Sequence, residues 1–279
     1  MSESTADSTQ GQVSDGWVTM DTRERAQEYV AQLDSNRNLQ GVEQGVQARL
    51  RLLALAPGLR VLEVGVGTGE FARQVAAAVA PTGSVTGIDL SAALVATATE
   101  RSTGAGLPLT FQVGDVHHLD FPDHGFDRAC AASVFQHVDD PVRALQEMVR
   151  VTRPGGRIVV YDGGGGNASF FGVDIQATRA VTDALARQWR NSWVGLQMLE
   201  LFRDAGLTDV TVEPITITST SLQAVMARVR YREAVDRAIQ AGILDAEQMN
   251  AWRHSLEKAD GAGTFFWSTT GFTFAGRRP

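Results

Sequence analysis

Val61-Leu62-Glu63-Val64-Gly65-Val66-Gly67-Thr68-Gly69-Glu70 is the stretch that decides the fold of this chain. Val61 to Val64, apolar at three of four positions, read as a buried strand. Three glycines at alternate positions read as a turn, and Glu70-Phe71-Ala72-Arg73-Gln74-Val75-Ala76 has helical spacing. A strand, a glycine turn and a helix make the nucleotide-binding corner of a doubly wound sheet. Glycine lets the backbone turn sharply and leaves room for a ligand where a side chain would block it. The spacing is G-x-G-x-G, not the dinucleotide G-x-G-x-x-G, and a tight glycine turn taken alone also serves structure only.

The signals that follow raise its weight. Ser84-Val85-Thr86-Gly87-Ile88-Asp89 reads as a second strand ending in an acid, 20 residues after Gly69. An acid there can accept hydrogen bonds from both hydroxyls of a ribose. Leu109-Thr110-Phe111-Gln112-Val113 reads as a third strand leading to Gly114-Asp115-Val116, where a carboxylate can take the exocyclic amine of an adenine. Phe126 to Ala132 reads as a fourth strand, and Arg153-Pro154-Gly155-Gly156 as a turn before the fifth, Arg157 to Tyr161.

With these residues in order, the chain resembles a class I methyltransferase dependent on S-adenosylmethionine. The matching pieces are Glu63-x-Gly65-x-Gly67-x-Gly69, Gly87-Ile88-Asp89-Leu90-Ser91, Gly114-Asp115, Phe126-Asp127, Gln136-His137-Val138-x-Asp140-Pro141 and Arg153-Pro154-Gly155-Gly156. They cover about residues 58–162, and within the family the likeness is to bacterial small-molecule enzymes similar to the quinone-biosynthesis C-methyltransferases. Many of that group modify secondary metabolites. The resemblance implies an α/β, doubly wound, seven-stranded sheet of order 3-2-1-4-5-7-6 with the seventh strand antiparallel. It also implies a helical lid and an insertion between strands six and seven.

The 279 residues, 43% of them hydrophobic, suit one domain with insertions. Lys and Arg number 25 against 32 Asp and Glu, a formal charge of −7, and no basic run suggests nucleic acid as a partner. The one cysteine, Cys130, lies inside the fourth strand and reads as a buried structural thiol. No apolar run reaches a membrane span, and residues 1–15 lack a signal-peptide pattern. The expectation is a cytoplasmic enzyme, monomer or homodimer, acting on a small molecule, with neither nucleic acid nor membrane as partner.

Residues 1–15, rich in Ser, Thr, Gln and Gly, predict a disordered tail, and residues 16–279 a single methyltransferase-like domain. Residues 22–55 carry helical spacing and read as a cap over the cofactor; residues 58–162 are the cofactor-binding core. Helices are expected near 69–79, 91–102, 140–151, 172–190 and 194–205. Gly163 to Gly166 break the chain after strand five and make a mobile active-site rim. Strand six is expected at 209–217, a helical insertion at 221–259, and strand seven at 264–276, packed by Phe265, Phe266 and Trp267.

Methyl transfer from a sulfonium is an in-line displacement in which the cofactor supplies the reactivity and the protein aligns the reactants. Such an enzyme needs no fixed triad. By resemblance, Glu63 helps hold the amino end of the cofactor. Gly65, Gly67 and Gly69 form its cradle, Asp89 meets the ribose, Asp115 the adenine amine, and Leu90 and Val116 the adenine faces. Competing roles are a loop brace for Glu63, a helix cap for Asp89 and a turn-forming contact for Asp115. Ser133 to His137 face sulfonium and acceptor. His137 and Asp162 are candidate general bases, set against an orienting role for His137 and a cap on the glycine loop for Asp162. Phe135, Gln136, Phe170, Trp189 and Trp193 are candidate walls of an apolar acceptor pocket. His117 and His118 lack a third ligand at metal spacing; His124 and His254 read as surface, and Arg187, Gln188 and Arg190 as a solvated face. Three functions suit these features: methyl transfer to a small apolar metabolite, a cyclase or pericyclase on the same scaffold, and a non-catalytic cofactor-binding protein.

Overall fold

Val61, Leu62 and Val64 are buried on both faces of β1 (Arg60–Val64), the environment that a parallel strand between helical layers requires. The computed structural model in which they are seen describes residues 23–37, 39–163, 167–171, 175–186, 189–228, 239–240, 242 and 245–279. The expected tail over 1–15, Gly164 to Gly166 of the glycine run, Arg187 and Gln188 lie outside the described residues.

β1 pairs in parallel with β2 (Ser84–Asp89) on one side and β4 (Phe126–Ala132) on the other. β3 (Leu109–Val113) extends the sheet beyond β2, and β5 (Thr152–Gly163) beyond β4. Strand order therefore reverses between β1 and β4, and a crevice opens at their carboxyl ends. β8 (Phe266–Arg277) runs antiparallel between β5 and β7 (Thr208–Ser219). The expected order is present, with one correction: among the described residues the sheet has eight strands, not seven. The added strand, β6 (Ser169–Phe171), pairs with residues 266–268 of β8, beyond the end of β5. Its three residues are too short for a period to show. Aromatic pairing holds it, Phe171 meeting Phe266 with ring centroids 5.2 Å apart. Residues 153–156 are a bulge rather than a turn ahead of the strand: pairing passes from Phe126 opposite Thr152 to Arg128 opposite Arg157.

Helices α1 (Arg23–Asn36) and α2 (Val42–Leu53) precede the sheet. α3 (Glu70–Val79), α4 (Ala92–Ser102) and α5 (Pro141–Val151) follow β1, β2 and β4. Local chemistry sets their starts. The Ser91 side chain accepts from the Leu94 amide, and Asp140 from that of Arg143 with Pro141 opening the helix. α6 (Ile175–Ala186) and α7 (Val194–Asp204) come after β6. Between β7 and β8 lie α8 (Leu222–Arg228) and α9 (Ala246–Gly261); Val229 and Ile243 of the expected insertion lie outside the described residues.

Three apolar cores result among the described residues. Leu62, Val64, Ile158 and Val160 pack against α5 and α7 through Leu145, Met148, Met198 and Phe202. Their strand neighbours Val61, Cys130 and Val159 face the opposite way, onto Leu53, Phe71 and Val75 of α2 and α3. Phe170, Trp252, Phe265 and Trp267 form a third core under α6, α8 and α9.

Candidate active site

The glycine turn adopts the backbone its sequence allows: Gly65, Gly67 and Gly69 have φ of +71°, +54° and +73°. At Gly65 an added Cβ would stand 2.2 Å from Val134 Cγ2, so the turn and the loop after β4 interlock. At Gly67 the same atom would meet Leu33 Cδ1 of α1 at 3.4 Å, so α1 reaches over the turn.

Asp89 ends β2 and is 6% exposed. Its carboxylate accepts from the Gly67 amide at 2.9 Å and the Ser91 amide at 3.0 Å. The acid thus fixes the glycine turn to the start of α4, while the helix cap is Ser91. Burial pushes its pKa up, opposed by those amides. Leu90 beside it is 59% exposed, and Val116 is buried in the core.

Asp115 follows β3. It accepts from the His117 amide at 2.9 Å, the turn-forming contact, and meets His117 Nδ1 at 2.6 Å. Burial raises its pKa, but the donors from His117 prevail and hold it below the usual range. His117 Nε2 accepts from the Asp140 amide at 3.2 Å, so the imidazole carries its proton on Nδ1 and links Asp115 to the cap of α5. This link was not legible from the sequence.

Glu63, inside β1, is 5% exposed, and its Oε2 has no hydrogen-bond partner. Burial pushes its carboxyl up to about 8, against the lowering effect of Arg49 on α2. The Arg49 guanidinium stands 4.6 Å from the Phe71 ring centroid and 5.5 Å from that of Tyr161. Sequence reasoning missed Arg49. The signal was there: it sits three and seven residues after Val46 and Val42, on the apolar stripe of α2.

The loop after β4 begins at Ser133, whose φ of +58° is rare for a non-glycine residue and whose amide donates to Tyr161 O at 2.8 Å. Asp162 is fully buried and accepts from the amides of Phe135 at 2.8 Å, Gln136 at 3.3 Å and Gly163 at 3.0 Å. Burial pushes its pKa up to about 7 despite these donors. It braces two loops. Gln136 Nε2 lies 3.0 Å from His137 Nε2, and the His137 amide donates to Val134 O. Asn191, also missed from sequence, donates from Nδ2 to Phe135 O at 3.0 Å and Val138 O at 2.6 Å, and its amide to Gln136 O.

The structure thus gathers Glu63, the glycine turn, Asp89, Asp115 and the 133–137 loop along the carboxyl edge of β1 to β4. Of the expected pocket walls, Gln136 stands half-buried in that loop, and the aromatic ones do not line it together. Phe135 is wholly buried in the core under α5 and α7. Phe170 packs edge-on against Trp252 in the third core, with centroids 5.6 Å apart. Trp193 is 48% exposed at the start of α7, and Trp189 is half-buried just before it. Among the described residues no group of three or more His, Cys, Asp or Glu could hold a metal ion, and no helix is long and apolar enough to cross a membrane.

Residues 62–160 match the sequence family described as Methyltransferase domain. The chain is 36% identical over 226 residues to an uncharacterised 37.1 kDa protein in transposon TN4556 of Streptomyces fradiae, covering 79% of this chain and 63% of that one. It is 40% identical over 116 residues to a ubiquinone/menaquinone biosynthesis C-methyltransferase, UbiE, of Bdellovibrio bacteriovorus, covering 42% of this chain and 49% of the relative. The chain therefore spans less than two thirds of each. Among solved structures, YcgJ of Bacillus subtilis superposes with a TM-score of 0.58 at 17% identity, over 85% of this chain and 98% of the other. The [4+2]-cyclase SpnF superposes with a TM-score of 0.52 at 23% identity, over 85% and 81%. Residues 62–160 thus match a methyltransferase domain in sequence, and the chain has the fold of these solved structures.

Proposed function

We propose that this protein transfers a methyl group from S-adenosylmethionine to a small, largely apolar metabolite in secondary-metabolite biosynthesis. The observation that carries the reading is the row along one edge of the sheet of Glu63 and the glycine turn at β1, Asp89 at the end of β2 and Asp115 after β3. These residues fit the cofactor. Glu63 presents a buried oxygen without a partner to an ammonium group. Asp89 and Asp115 would hold ribose and adenine. When bound, the sulfonium supplies an electrophilic methyl group. The chain's own part is to orient the reactants and exclude water, with α1 as cover and the 133–137 loop facing the acceptor. We place the enzyme in the cytoplasm, as a monomer or homodimer without nucleic-acid or membrane partners.

A second reading has its own support. Both oxygens of Asp162 are engaged by backbone amides, which leaves it poorly placed to take a proton, and a reaction driven by substrate folding needs no such base. SpnF, named as a [4+2]-cyclase, has this fold. Incubation with S-adenosylmethionine labelled in its methyl group and extracts of a strain lacking the protein separates the two. A labelled small product supports methyl transfer, and an isomer of unchanged mass supports cyclisation. Binding of the cofactor without either product would mean a non-catalytic role.

A further inference from the structure

The His117 ring bridges the end of β3 and the start of α5. Both donors of this residue, its amide at 2.9 Å and Nδ1 at 2.6 Å, fall on Asp115 Oδ1. Oδ2 of that carboxylate has no protein donor among the described residues. On the far side of the ring, Nε2 accepts from the Asp140 amide at 3.2 Å. Asp140 closes the loop that follows β4 and caps α5, its side chain accepting from the Arg143 amide at 2.9 Å. The His117 side chain is 17% exposed and so largely fixed in place, while that of Asp115 is 45% exposed and open to a ligand.

Such a bridge needs a group that donates at one end and accepts at the other. A neutral imidazole does both on one rigid ring. Lysine and arginine only donate, and an ionised carboxylate only accepts. The rest of the segment is fastened to α5 without the ring. Arg143 Nε donates to His117 O at 3.1 Å, the Leu119 amide to Glu147 Oε2 at 2.9 Å, and Arg150 Nη2 to Leu119 O at 2.8 Å. Other residues therefore set the backbone path. What the ring adds is the orientation of one carboxylate and the hold on one amide. The carboxylate stands where the adenine amine is expected, and the amide ends the loop expected to face the acceptor.

We propose that His117 is a positioning residue that couples the two halves of the active site: it turns Asp115 so that Oδ2 is left for the adenine amine, and it ties that acid to the Asp140 amide at the end of the acceptor-facing loop. The inference rests on the methyltransferase reading and adds to it the link through which an occupied cofactor site steadies that loop.

Calorimetry on the full chain with two probes tests the first half. S-adenosylhomocysteine carries the adenine amine; S-inosylhomocysteine has in its place an oxygen, which offers a carboxylate no proton. His117→Ala should cut the preference for the first probe over the second by about tenfold, the order expected for misplacing one hydrogen bond to a charged group. His117→Asn, whose short amide still donates to Asp115, should restore most of it. Hydrogen exchange tests the second half. His117→Ala should speed exchange of the Asp140 amide by about tenfold or more and abolish the slowing that S-adenosylhomocysteine causes there. His117→Gln, long enough to accept from that amide, should restore protection but not the preference. A ring that merely packs would weaken both probes alike and leave the preference intact. That result would overturn the coupling while the methyltransferase reading stands, as would either effect without the other, or equal binding of both probes by the unaltered protein. If the unaltered protein binds neither probe, that reading fails first and the coupling with it.

Discussion

The Asp162 carboxylate accepts the Phe135 amide at 2.8 Å, so the end of β5 sets the path of the loop that follows β4. The same carboxylate accepts the Gly163 amide at 3.0 Å. It is a structural brace at the position where a general base would otherwise be sought.

Asp162→Asn should therefore lower stability more than chemistry. The amide nitrogen would face a backbone donor it cannot satisfy, at a cost of about 1–3 kcal/mol. Chemical denaturation should show that loss. Turnover per folded molecule of Asp162→Asn and of His137→Ala should fall less than about tenfold, below the range usual for a general base. A loss of about 100-fold in either would restore base catalysis.

Asp89→Ala should weaken S-adenosylhomocysteine about 10-fold or more. The variant loses acceptors for the ribose and also frees the Gly67 amide that shapes the turn. Unchanged affinity by calorimetry would remove the ribose from this end of β2.

Cofactor affinity should rise with pH through the ionisation of Glu63. Its carboxyl is pushed up to about 8 by burial, above the ordinary 4.5, so in the free protein it is protonated below that pH. Binding an ammonium group favours the ionised form and releases the proton. The same shift makes the ligand-free fold lose stability as pH rises from 4.5 through about 8, because the folded state binds the extra proton. Binding heats in buffers of different ionisation enthalpy at about pH 7 should reveal proton release, which Glu63→Gln abolishes. No buffer dependence in the unaltered protein would count against Glu63 as the ammonium partner.

α1 should behave as the moving part of the cap. Asp34 on α1 meets Arg101 of α4 through two contacts of 2.9 Å, and Arg37 just beyond α1 meets Glu70 at 3.0 Å. These pairs are partly exposed and screened by salt. Asp34→Ala should speed hydrogen exchange in α1 and the exit of S-adenosylhomocysteine in stopped-flow traces. Equal exchange in both proteins, with and without ligand, would end the lid assignment.

The strands and glycine turn of residues 58–162 were legible because their signals are local. Glycines at alternate positions, an acid at each of two strand ends and buried apolar runs all follow from short stretches of backbone. What stayed hidden depends on tertiary contacts. Arg49 looks like its neighbour Arg51 until α2 packs; then Arg49 turns to the sheet, and Arg51 pairs at the surface with Glu213. Asn191 lies more than fifty positions from the carbonyls of Phe135 and Val138 that it holds. Asp162 reads as an acid at a strand end, and only the folded loop shows that amides surround it. Phe135 and Phe170 had the chemistry of pocket walls, but a ring in a core and a ring lining a cavity have the same local sequence.

The third core has a bearing on how such an enzyme diversifies. Leu39, Ala48, Phe170, Val181, Ile217, Met249, Trp252 and Trp267 all belong to it, and every one lies outside residues 62–160, the span shared with the methyltransferase family. Mutations that reshape α6, α8 and α9 are absorbed by hydrophobic contacts separate from those under β1 to β4. The half that matches the family therefore does not depend on this core for the contacts under β1 to β4.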